Sequence, residues 1–283
     1  MGGVYKSIGV KMYYDDIERQ CLNMKLKALD MAFSSKAFGS HIGGSFSAME
    51  LLATLYNFAN ISSGDDEQRD RIIISKGHCV LALYTALWQK GFISEDVLNT
   101  YETNGTVLNS HAHENKKYAI EFSGGSLGLG LSYATGVALG CKRKGLGSHV
   151  YVLVGDGELD EGICWESLMS MANFKLYNIT VIVDRNKYQL DGPTTEVMDQ
   201  YSLEDKFTAF GFDVQAIDGH SIPAIAEALN KNTERPKAII ADTIKAHGIS
   251  FLENNKKSHQ CTLSKKKYEQ AVQEIKEAYH VGE

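Results

Sequence analysis

A chain of 283 residues with 43% apolar content is long enough for one large α/β domain or two small ones. A formal charge of −6 argues against a nucleic-acid or anionic-membrane surface, so an anionic ligand has to be met by local positive charge. The five cysteines show no paired or metal-type spacing, and no secretory leader is read, so reduced thiols and a cytoplasmic setting are expected. No stretch approaches the roughly 20 apolar residues that cross a bilayer.

Residues 1–14 carry little pattern and are expected as an amino-terminal arm, ahead of a single domain over 15–283. From Asp15 to Phe38 apolar positions recur at helical spacing, Ile17, Cys21, Leu22 and Leu29 among them, with charges on the other face. A glycine-rich break at 39–45 precedes a helix from Ala48 to about Asn60, and the acidic run Ser63 to Glu67 is expected as a solvated loop. Arg71 to Ser75 reads as a short buried strand, and Lys76-Gly77-His78 as the turn into a helix over Val80 to Lys90. Gly124 to Gly130 opens a helix running to about Lys144, in which Gly136, Ala138 and Gly140 are expected to pack closely on a neighbour.

His149 to Val154 and Asn178 to Val183 are predominantly apolar runs, the pattern of strands buried on both faces. Trp165 to Leu176 alternates at helical spacing between them, and such a strand-helix-strand unit brings both carboxyl ends to one sheet edge. A strand over Asp213 to Ile217, the turn Asp218-Gly219-His220 and a helix over Ile222 to Asn230 follow. Then come a strand over Pro236 to Asp242 and a charged helix from Lys265 to Tyr279. This alternation predicts an α/β fold with a mostly parallel sheet and helices on both faces, and ligands outside the carboxyl ends of the strands.

The chemistry collects at those ends. Asp156 sits in Gly155-Asp156-Gly157 after one strand, and Asn186 stands thirty positions on, after the next. A Gly-Asp-Gly alone is commonly just a turn. Here the paired strand ends place a carboxylate and an amide oxygen where a small hard cation and diphosphate oxygens would suit them. The glycines let backbone approach a phosphate. Four histidines, His41, His78, His111 and His259, also lie in loops at element ends. One such imidazole is commonly plain surface, whereas four suit phosphate binding and proton transfer near neutral pH.

The pattern Gly155-Asp156-Gly157-Glu158-Leu159-Asp160-Glu161-Gly162, closed by Asn186 and Leu190-Asp191-Gly192, resembles the thiamine diphosphate signature of the transketolase family. Phe38-Gly39-Ser40-His41-Ile42-Gly43-Gly44 is similar to that family's first histidine loop, with Ile42 where proline is usual. Asp70 to His78 is similar to its second. His111 stands fourteen residues before Gly125, the spacing of the third histidine, which His113 fails. The segment from Thr243 through Lys245 to His259 is similar to the family's Lys-Gly-x-Gly…His stretch, with Ala246 at its first glycine.

The resemblance implies thiamine diphosphate with Mg2+ (Ca2+ or Mn2+ as substitutes), the metal held by Asp156, Asn186 and the backbone carbonyl of Tyr188. It implies catalytic roles for His41, His78, His111 and His259. Cofactor contacts are implied for His78, Gly125, Ser126, Leu127, Gly157, Glu161, Asn186, Leu190, Lys245 and His259. Read without it, Lys245 is equally a solvated strand-end charge, Gly124 to Gly130 a tight packing site, and Glu161 a first-turn helix charge.

The resemblance runs from about residue 15 to the end and covers only the first third to half of a full family member. The expectation is the amino-terminal subunit of a two-chain transketolase that moves a two-carbon ketol unit from a ketose phosphate to an acceptor. A separate partner subunit would carry the pyrimidine-binding and carboxyl-terminal domains, with two copies of each chain. The alternatives are the alpha component of a 2-oxo acid dehydrogenase, whose signature lacks the His41, His78 and His111 set, and a non-catalytic thiamine diphosphate-binding module.

Overall fold

A computed structural model describes residues 2–35, 39–64 and 66–279. Five strands form one sheet: β1 (Arg71–Ile74), β2 (Val150–Gly155), β3 (Ile179–Arg185), β4 (Asp213–Asp218) and β5 (Lys237–Asp242). Their spatial order is β1-β2-β3-β5-β4 and every pairing is parallel. The helices in chain order begin with α1 (Gly2–Ser34), α2 (Ile42–Phe46), α3 (Met49–Phe58), α4 (Val80–Gln89) and the single turn α5 (Glu95–Leu98). They continue with α6 (Leu129–Lys144), α7 (Gly162–Asn173), the single turn α8 (Thr194–Val197), α9 (Leu203–Ala209), α10 (Ile222–Asn230) and α11 (Lys265–Ala278).

The apolar runs become strands because both of their faces are covered. Successive strand side chains point to opposite faces, and the core divides accordingly. Ile72, Tyr151, Leu153, Ile182 and Ile239 join the side built by α1, α3, α4, α10 and α11. Ile73, Val150, Val152, Val181 and Ile240 join the side built by α6, α7 and α9. The doubly covered parallel sheet is the predicted fold class.

Two expectations are corrected. Residues 2–14, expected as an arm, continue α1 as helix, and the expected helix end at Phe38 lies outside the described residues. On α6, Gly136 and Gly140 meet open space, whereas Gly130, Ala134 and Ala138 face inward. Positions four apart share a helix face, so the packed stripe is the 130–134–138 series. At Gly130 an added Cβ would stand 2.6 Å from Ser75 Cα. Among the described residues, no helix is long and apolar enough to cross a membrane.

Because all strands run the same way, Ser75 to His78, Asp156, Asn186, His220 and Lys245 emerge from the five strands at one edge.

Candidate functional site

The floor of that edge is a buried ion pair. Lys76 follows β1, and its Nζ donates to the Asp184 carboxylate at the tip of β3 and to Gly44 O at 2.9 Å. Asp184 also accepts from Ser47 Oγ at 2.5 Å and from Thr243 Oγ1. Against the loss of hydration, the partners hold the lysine above its ordinary range and the carboxyl below its own. Neither Lys76 nor Asp184 was singled out from sequence. The available signal was a charged residue ending the apolar run Ile179 to Val183, where only a paired charge is tolerated.

Asp156, 2% exposed, sits beside this pair. Its Oδ1 accepts from the Gly157 N–H at 2.9 Å and its Oδ2 from the Lys187 N–H at 2.6 Å. Burial first, and then the Asp184 charge, push its carboxyl up to about 7. Asn186 turns its amide nitrogen toward Ser47 Oγ and Asp184, each at 3.4 Å, while its Oδ1 accepts from the Tyr188 N–H at 3.1 Å. Asp156, Asn186 and Tyr188 line one cavity of about 250 Å³. An all-oxygen donor set around a buried carboxylate, only partly relieved by two backbone N–H donors and by Lys76, fits a hard divalent cation. Lys245 Nζ also approaches the Tyr188 carbonyl, at 3.4 Å, and donates to Gln189 O at 3.0 Å.

The same cavity gathers all four singled-out histidines. The His41 ring lies 5.2 Å from His111, 5.4 Å from His259 and 6.0 Å from His78, centroid to centroid, and His78 lies 5.1 Å from His259. His41 Nδ1 is buried and, among the described residues, has no hydrogen-bond partner. Such an atom is costly unless a ligand or water meets it. Burial, with His111 nearby, lowers His41 to about 4, and burial with Lys245 lowers His259 to about 4. His78 is pushed well below the usual imidazole range by burial and Lys76. Neutral imidazoles of this kind can accept or donate one proton at a sugar hydroxyl. Lys245 is lowered to about 8 by burial and the Lys76 charge. His113, the competitor of His111, is exposed.

Close backbone approach explains several glycines. A Cβ at Gly77 would stand 2.7 Å from Gly125 N, and one at Gly44 would stand 2.8 Å from His78 Cδ2. Gly125, at φ +143°, lines the cavity, as do Leu127 and Gly157. Ser126 and Glu161 are exposed and do not line it; Glu161 stands at the N-cap position of α7 without a side-chain capping bond. Leu190 stands on the rim, 60% exposed. Glu158, absent from the candidates although inside the quoted motif, is buried. Its carboxylate accepts from Ser75 Oγ at 2.5 Å, the Gly128 N–H at 2.7 Å and the Gly155 N–H at 3.0 Å, pinning three loops together. Ala246, where the family pattern has glycine, takes φ +62°.

Residues 17–281 match the family model described as transketolase, thiamine diphosphate binding domain. The chain belongs to the transketolase family. It is 36% identical to an apulose-4-phosphate transketolase subunit of Phocaeicola vulgatus, over 94% of this chain and 96% of that protein. It is 39% identical to the 6-deoxy-6-sulfo-D-fructose transketolase subunit SqwG of a Clostridium species, over 83% and 88% respectively. The crystal structure of Campylobacter jejuni transketolase superposes with a TM-score of 0.84 at 26% identity, over 92% of this chain but 42% of that one. This member of the transketolase family thus corresponds to the amino-terminal, cofactor-domain part of full-length transketolases.

Proposed function

We propose that this chain is the amino-terminal subunit of a split transketolase, which transfers a two-carbon ketol unit from a ketose phosphate to an acceptor with thiamine diphosphate and Mg2+. The observation that carries the reading is the single cavity shared by Asp156, Asn186, Lys245 and the four histidines His41, His78, His111 and His259. That histidine set favours ketol transfer over 2-oxo acid chemistry.

Thiamine diphosphate, when bound, supplies the nucleophilic carbon and the electron sink for breaking a ketose C2–C3 bond. This chain's residues hold and orient. Asp156, Asn186 and the Tyr188 carbonyl hold the cation, Lys245 and His78 meet diphosphate oxygens, and Gly125 and Leu127 present an open surface to the ring system. His41, His111 and His259 bind sugar hydroxyls and carry protons between them.

Activity requires a separate partner bearing the pyrimidine-binding and carboxyl-terminal domains, in two copies of each chain. Support comes from relatives of matching length that are themselves named as transketolase subunits. The test is titration of thiamine diphosphate and Mg2+ into this chain alone and into its mixture with a separately expressed subunit bearing the pyrimidine-binding and carboxyl-terminal domains. Weak binding alone, tight binding in the mixture and ketol transfer only in the mixture are expected. Tight binding or ketol transfer by the isolated chain would overturn the split arrangement.

A further inference from the structure

Behind Lys245, outside the cavity, lies a polar cluster that the proposed reaction does not use. Glu50 of α3 is buried, and its Oε1 accepts from Lys25 Nζ at 2.6 Å. Its Oε2 is 3.1 Å from Nδ1 of His220, which follows β4. His220 Nε2 accepts the backbone N–H of Ile244 at 2.8 Å. Only an unprotonated ring nitrogen can accept, so the imidazole carries its proton on Nδ1 and donates it to Glu50. The ring of His247 stacks on that of His220 at 3.6 Å, with an interplanar angle of 27°.

The residues gripped are the neighbours of Lys245: Ile244 before it through the main chain, and His247 two positions after it through the ring. Ala246 between them donates its N–H to Gly43 O at 3.0 Å. The tip of β4 is drawn against this segment by Gly219, whose N–H donates to Asp242 O at 2.8 Å. A Cβ on Gly219 would stand 2.4 Å from Thr243 Cγ2. A metal ion has no place at Glu50, His220 and His247, because the Lys25 ammonium already supplies the positive charge and the Nδ1 lone pair of His220 is protonated.

We propose that His220, fixed by Glu50, is a positioning residue for Lys245, holding the main chain before that lysine and the ring of His247 after it, and so setting where its ammonium meets the diphosphate. The inference rests on the reading of Lys245 as a diphosphate contact. Lys245 reaches the cavity from a segment held before it by the His220 ring nitrogen and after it by the His247 ring, which stacks on His220 and lies 3.4 Å from Lys25 Nζ.

The comparison that tests it is His220→Asn against His220→Gln. Either amide is polar next to Glu50, but only glutamine reaches the Ile244 N–H. In the full chain, amide hydrogen exchange at Ile244 and Lys245 reads the grip on this segment. It should quicken on the order of 10-fold in His220→Asn, the scale of one lost hydrogen bond, and return to the wild-type rate in His220→Gln. Calorimetric binding of thiamine diphosphate with Mg2+, in the mixture with the partner subunit, should weaken on the order of 10-fold in His220→Asn, the scale of lost ligand-orienting contacts, and recover in His220→Gln. In a Lys245→Met background His220→Asn should weaken binding no further, because the two residues act as one unit. Unchanged exchange in folded His220→Asn, equal effects of the two variants, or equal weakening with and without Lys245 overturns the proposal. Should His220→Asn fail to fold, His247→Leu, which removes the stacked ring, takes its place in the same measurements, and a loss independent of Lys245 overturns the proposal. Wild-type affinity in Lys245→Met alone refutes the diphosphate contact, while amide exchange still decides the positioning role.

Discussion

The Asp156 carboxylate accepts a 2.6 Å hydrogen bond from the backbone N–H of Lys187, the residue that follows Asn186. One bond thus ties the loop after β2 to the loop after β3 and holds the two proposed metal ligands in a common frame. Lys187 adopts φ +65° to make it. The same carboxylate is pushed up to about 7 by burial and by Asp184. Its contribution to stability is therefore present at low pH and lost as pH rises through that value. Asp156→Asn should stabilise the metal-free chain above neutral pH while abolishing Mg2+-dependent cofactor binding. Urea unfolding and calorimetry read the two effects, and a variant that still binds thiamine diphosphate with Mg2+ normally would remove Asp156 from the metal site.

The Lys76–Asp184 pair gives a stability prediction. Removing one partner of a buried pair leaves an uncompensated charge and costs about 3–5 kcal/mol. Lys76→Met should lose stability on that scale, and Lys76→Met with Asp184→Asn should recover part of it, since asparagine still accepts from Ser47 and Thr243. Denaturant midpoints decide. A loss below about 1 kcal/mol, the range of exposed pairs, would show that the pair is not isolated from water.

Glycine positions separate packing from surface. Gly77→Ala drives a methyl against Gly125 N and should cost about 1–3 kcal/mol while lowering cofactor affinity. Gly136→Ala enters open space on α6 and should stabilise the isolated chain by about 0.5–1 kcal/mol. Thermal unfolding of both variants checks the assignment, and a reversed order would contradict the packing described.

The histidines set the acid limb. His41, His149 and His259 titrate at about 4 when folded, against 6.5 for a free imidazole, with burial the leading cause at each. The unfolded chain therefore binds more protons between these values. Stability is full above the unfolded pKa and falls as pH drops toward about 4. His149, hydrogen-bonded to Thr180 Oγ1 at 2.9 Å, lies outside the proposed site. His149→Gln should therefore make the stability–pH slope shallower without touching cofactor binding. An unchanged slope in that variant would refute the buried-neutral assignment.

Periodicity alone determined the parallel α/β fold, the order of its main elements and the loops that carry Asp156, Asn186, Lys245 and the histidines. Those are local properties: apolar runs bounded by glycine and polar residues report which faces are covered, whatever covers them. Only the tertiary structure decided which charges neutralise one another. Lys76 and Asp184 are 108 residues apart, Ser75 and Glu158 are 83 apart, and Glu50 and His220 are 170 apart. No periodic signal links such positions. The packed stripe of α6 and the helical continuation into residues 2–14 were likewise illegible, because small or weakly patterned residues do not declare their neighbours. A pairing becomes visible only once the strands bring their ends to one edge, and the low dielectric there makes each partner obligatory.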